Sequence, residues 1–144
     1  MRKQGRGGAR PRSVDGPGGG APVVTTDDAR AIVSGDAECI VRCAKGVADR
    51  LGGVRKHQIR NVYSALVRIR ALDDPQKQRS QLVLLRPRLA YMRARSTKTA
   101  PLQDALEKVI QALPKQDRGS DASSLQAVFD FAEAIVAYHH VKGA

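Results

Sequence analysis

Arginine and lysine are the only side chains in this sequence crowded enough to do chemistry together, and the chemistry they offer is phosphate binding. Thirteen of them fall between Arg50 and Lys98 against two acids, Asp73 and Asp74, an excess equal to the +11 formal charge of the whole chain. A guanidinium is a planar fork that meets phosphate oxygens in pairs, and an ammonium meets them as a point charge. Arg60 and Arg68 are eight residues apart, which on a helix is two turns or about 12 Å, far enough to serve separate phosphates. Arg88 and Arg95, seven apart, share a face of a second helical run. The flanks do not follow this trend: residues 25–49 and 99–144 each carry a net charge of −2 (3 − 5 and 4 − 6). Positive charge concentrated on rigid elements points to a polyanion partner rather than to general solubility. Lys56, Arg60, Arg68, Arg88 and Arg95 are the candidate contacts. Arg70, Arg86 and Arg93 fall nearer the apolar sides of their helices, where pairing or packing within the fold competes for them.

Other chemistry finds little support. The chain contains no GxSxG elbow, P-loop, HExxH or DxD-type motif, so no catalytic residue and no cofactor are expected, and an enzyme is not. Cys39 and Cys43 could be drawn together with His139 and His140 as a zinc site. There is no CxxC, no HxxxH and no third cysteine, so small thiols in a reducing cytoplasm and no metal are expected. A pair four apart on a helix also makes a poor disulfide. Asp73-Asp74 before Pro75 reads as turn or capping chemistry. Aromatic residues are few, three Tyr and two Phe with no Trp. Tyr63, Phe129 and Phe131 lie on apolar helix faces, and Gln58 and Tyr91 are read as structural. Without a stacking platform, binding should be directed at phosphates, indifferent to sequence and steep in salt.

The elements that must position the basic residues are helices. Residues 1–24 hold seven glycines, three prolines and five basic residues, a composition that cannot build a core and should be disordered. This segment lacks an apolar stretch of the secretory kind, and a basic arm adding phosphate contacts is its functional reading. Residues 25–144 are long enough for one compact domain, and no apolar run approaches the ~20 residues of a membrane helix. Thr25, Thr26 and Asp27 offer N-cap chemistry, and Gly35-Asp36 a break and a second start. The second helix runs to Leu51 before Gly52-Gly53. In HQIRNVYSALVRIRAL, residues Ile59, Val62, Tyr63, Leu66 and Ile69 form a clean helical stripe. Pro75 to Arg95 is a further amphipathic run, which Pro87 should kink or restart. Ser96–Ala100 reads as a basic loop, Pro101 as the first position of a helix through Leu113, and Pro114–Ser120 as a linker. The last helix, capped by Ser120, Asp121 or Ser123, is apolar around so much of its circumference that it belongs at the centre of a bundle. The expected fold is therefore all-α, a bundle of about five helices behind a disordered N-terminal tail.

Three segments carry a resemblance. HQIRNVYSALVRIR looks like the T-x-x-Q-I-R-x-[FV]-Y segment of the small helical subunit of type III-A CRISPR effector complexes, the Csm type. LLRPRLAYMRAR resembles that family's L-K-P-K-L-A-Y-x-x-x-R segment, and FDFAEAIVAYHHVKG its C-terminal F-x-x-F-x-E-A-I-V-A-Y-H-K helix. Gln58, Ile59, Arg60 and Tyr63 match the first; Pro87, Leu89, Ala90, Tyr91 and Arg95 the second; Glu133, Ala134, Tyr138 and His139 the third. The chain departs from the pattern at Arg55-Lys56-His57, where the family tends to have Thr and Ser, and at Ala94, where a glycine is usual.

The resemblance implies a non-catalytic, cytoplasmic small subunit of an RNA-guided antiviral ribonucleoprotein complex. It would line the groove holding guide RNA and target RNA through sequence-independent backbone contacts. Its partners would be those two RNAs, the other subunits of the Csm complex and further copies of itself, with no membrane involved. Two alternatives stay open: a basic DNA-binding regulator that uses residues 57–70 as a recognition helix, which Gln58, Arg60 and Asn61 partly fit, and a scaffold whose basic block docks on an acidic protein.

Overall fold

In the computed structural model, which describes residues 22–114 and 121–143, every regular element is helical. Six α-helices follow one another: α1 (Thr26–Val33), α2 (Ala37–Asp49), α3 (Lys56–Arg70), α4 (Pro75–Arg95), α5 (Ala100–Gln111) and α6 (Asp121–Gly143). A single 3₁₀ turn, Thr97–Thr99, stands between α4 and α5. The all-α bundle expected from periodicity is thus the fold, with one helix more than the approximate count.

Side-chain caps set the boundaries. Thr25 Oγ1 accepts from the Asp28 N–H at 3.0 Å while the Thr25 N–H donates back to Asp28 Oδ2 at 3.1 Å, a reciprocal capping box. Gly35, at φ +93°, turns the chain out of α1, and Asp36 then caps α2 by accepting from the Cys39 N–H at 3.1 Å. Asp74 accepts from the Gln76 N–H at 3.0 Å with Pro75 in the first turn of α4, so the acidic pair before that proline does serve a helix start.

Two details go beyond the sequence reading. Of the outcomes expected at Pro87, a kink or a restart, the restart does not occur: α4 continues through it. Pro87 and Val83, whose carbonyl loses its N–H partner to the proline ring, both lie on the exposed side, where water can take the missing role. The bundle also begins before residue 25. Val24 is buried in the core, and Val23 packs against it. A Cβ on Gly46 would come within 2.9 Å of Val23 Cγ1, so the absence of a side chain on α2 is what lets this strap lie down. The disorder expected for residues 1–21 and the linker at residues 115–120 lie outside the described residues.

The long last helix touches all five others and sits at the centre. Its Leu125, Val128, Phe131 and Ile135 are at most 1% exposed. The buried His139 imidazole meets the Val54 carbonyl at 3.0 Å through Nε2. A carbonyl only accepts, so the nitrogen must carry the proton, and this bond ties the end of α6 to the loop that leads into α3. No described helix is long and apolar enough to cross a membrane.

Candidate nucleic-acid interface

The two basic helices are backed by different partners, and that opens the site. α3 packs on α6, α4 packs on α5, and the two touch each other much less. They run antiparallel, joined by the short turn at residues 71–74. Gln78 closes this joint by donating to the carbonyls of Leu72 at 2.7 Å and Arg70 at 3.1 Å, which satisfies α3's last turn from α4.

What remains between them is a groove in two connected stretches. The lower, about 580 Å³, runs from Leu72 and Lys77 to Arg68 and Arg88. The upper, about 770 Å³, runs from Arg68 and Arg88 to Asn61 and Tyr91. The two share Ala65, Arg68, Leu85 and Arg88, so the arginines stand on opposite walls at the midpoint.

Charge is sorted on these helices as the sequence suggested. Arg70 lies 3.9 Å from Glu133 and Arg86 lies 3.8 Å from Glu107, while Arg93 bonds Asp104. The Asp104 bond stabilises the Arg93 cation and raises its pKa still further. These three arginines strap α3 to α6 and α4 to α5. The Glu133 carboxylate is thereby paired within the fold. Lys56, Arg60, Arg68, Lys77 and Arg88, by contrast, are exposed and form no ion pair among the described residues. Their field is uncompensated where it meets solvent.

The predicted contacts therefore divide. Arg68 and Arg88 meet across the groove. Arg95 adjoins it, donating to the Tyr91 hydroxyl at 3.2 Å. Lys56 and Arg60 do not line it; they extend the positive face toward the start of α3. That start is itself unusual, because Arg55, Lys56 and His57 occupy the positive end of the helix dipole and no acid lies in the first turn. The Gln58 side chain accepts from the Arg55 N–H at 3.1 Å, but no capping side chain stands at position 55 itself. The local sequence thus spends helix stability on positive charge, a departure expected at functional surfaces.

Lys77 was missed as a wall residue, and so was the exposure of Leu84 and Tyr91, which are 61% and 62% exposed. Their signal is the spacing: Lys77, Leu84, Arg88 and Tyr91 are seven, four and three residues apart, one stripe of α4 facing away from buried Leu82, Leu85 and Leu89.

The cysteines belong to a different place. Cys39 and Cys43 put their sulfurs 3.9 Å apart beside Asp28, the three ligand atoms lying within 4.8 Å of one another. Neither histidine of the imagined zinc site joins them. Burial, followed by the neighbouring Cys39, pushes the Cys43 thiol up to about 12, so it stays protonated. Burial also works against the Asp28 carboxylate, but bonds from Thr25 and from Arg42 at 3.0 Å outweigh it and hold its pKa below the usual range. Cys39 and Cys43 pack in the core, with Asp28 paired to Arg42 at its edge.

The family model Csm2 Type III-A matches residues 34–144. No curated protein and no solved structure matches the chain.

Proposed function

The chain belongs to the Csm2 Type III-A family and is a small subunit of a type III-A CRISPR effector complex, and from that premise we propose that its α3–α4 face lines the groove holding guide and target RNA. The contacts run from Lys56, Arg60, Arg68, Arg88 and Arg95 to phosphates, which position a strand without reading it. The subunit carries out no catalysis. It works in the cytoplasm beside further copies of itself and the other subunits of the complex. Residues 25–144, with the Val23–Val24 strap, form its domain, and the preceding tail adds weak phosphate contacts.

The observation that carries this reading is the sorting of charge. Arg70, Arg86 and Arg93, which face α6 and α5, are matched by acids, whereas Arg60 on the outer face and Arg68 and Arg88 on the groove walls form no ion pair among the described residues. A surface built only for solubility has no reason to separate them this way.

A tagged chain recovered from its native cell, with and without ribonuclease, tests the reading. Short RNAs and the other subunits of a type III-A complex should co-purify, and the RNA within the complex should resist digestion. Recovery of DNA fragments sharing one sequence would favour the regulator. An acidic protein retained without RNA or complex subunits would favour the scaffold. Either result would overturn the assignment of this face to RNA.

A further inference from the structure

Phosphate contacts leave Tyr91 unused. Its ring is 62% exposed, on the groove wall formed with Arg68, Arg88 and Asn61. The core does not hold it. Arg95 does: its guanidinium carbon lies 5.7 Å from the ring centroid, and its Nη1 donates to the hydroxyl at 3.2 Å. A fold gains little from placing a tyrosine in water and then fixing it with a cation one turn away. Leu84, one groove length back on the same face and equally exposed, continues the apolar surface. An apolar ring flanked by guanidiniums is the combination that receives an unstacked nucleobase, the ring taking the base and the cations its phosphates.

We propose that Tyr91 is a stacking platform for an unpaired nucleobase of an RNA strand whose phosphates lie on Arg68 and Arg88, with Arg95 holding the ring in place. This rests on the RNA-binding reading above and deepens it. Bases in a continuous duplex are stacked on one another and unavailable, so the contact favours RNA that is single-stranded or locally unpaired. Every base has a π face, so affinity rises without sequence preference. On this proposal Tyr91 serves binding, where the sequence reading gave it to the fold.

The test uses the full chain and a single-stranded RNA carrying fluorescent adenine analogues along its length, free or annealed to its complement. Wild type and Tyr91→Phe should alter the analogue's emission on binding the single strand. Tyr91→Ala should lose that change and bind the single strand about 5- to 100-fold more weakly. It should bind the duplex as wild type does and keep the wild-type salt dependence. Melting temperatures of both variants should match wild type, because the ring is exposed. Undiminished single-strand binding by Tyr91→Ala would overturn the proposal. Equal losses in Tyr91→Ala and Tyr91→Phe would also overturn it, since the hydroxyl would then serve only to position Arg95. Salt-dependent binding indifferent to Tyr91 defeats this inference alone, whereas failure of wild type to bind either RNA at low salt defeats the reading it rests on.

Discussion

Replacing Phe131 with alanine should cost about 3–5 kcal/mol of folding stability. The side chain is fully buried on α6, the helix that every other helix packs against. Truncation removes the ring's transfer free energy and leaves a void that neighbouring helices cannot close without moving together. For a domain of this size the melting temperature should fall by roughly 10–25 °C. Val141→Ala is the matched control: it lies on the same helix but is 72% exposed, and it should change stability by no more than about 0.5 kcal/mol. The measurement is thermal or denaturant unfolding of both variants beside wild type. A Phe131→Ala loss under about 1 kcal/mol would mean that α6 is not the axis of the bundle.

The second large effect falls on binding rather than folding. Arg68→Glu combined with Arg88→Glu should weaken RNA binding on the order of 100-fold or more, because two attractive phosphate contacts become repulsive ones across one groove. Stability should hardly change, since both side chains are exposed and neither has an acidic partner among the described residues. The comparison that matters is with Arg93→Glu, which changes charge as much per site but faces Asp104. That variant should destabilise the α4–α5 contact while affecting RNA far less than the groove pair. Equal loss of binding from Arg93→Glu and from the groove pair would show that only net charge counts, not its placement. Direct binding assays on folded protein, with circular dichroism alongside, separate the two.

Much of this arrangement was legible in the residues. The Ile59–Ile69 stripe fixed which side of α3 would be buried, so Arg60 and Arg68 could be placed outside and Arg70 beside the apolar edge before any contact was known. Asp36, Asp74 and Thr25 announced three helix starts because capping is local chemistry. Four things were not legible, each for a physical reason. Pro87 breaks a rule of helix interiors that solvent can relax on an exposed face. Val24 follows a stretch too poor in apolar residues to announce a core position, and its neighbour Val23 lies against Gly46, twenty-three positions later, a contact no local pattern reveals. Tyr91 lies one residue before half-buried Met92 but nearly opposite buried Leu89, so its exposed side shows only when the whole Lys77–Leu84–Arg88–Tyr91 spacing is traced. The groove itself is a tertiary fact. It exists because α3 and α4 lean on different helices, which no feature within either segment encodes.

The claim on which the rest depends is that an α3–α4 basic face follows RNA phosphates without reading bases. A salt titration of RNA affinity, run on two RNAs of unrelated sequence with wild type and with Arg60→Ala/Arg68→Ala, addresses it most directly. Each phosphate contact removed should flatten the slope of log affinity against log salt by about 0.7–0.9. The double variant should therefore lose up to about 1.4–1.8 in slope, by the same amount on both RNAs, with an unchanged melting curve. A slope equal to wild type, or a loss confined to one of the two sequences, would contradict the account.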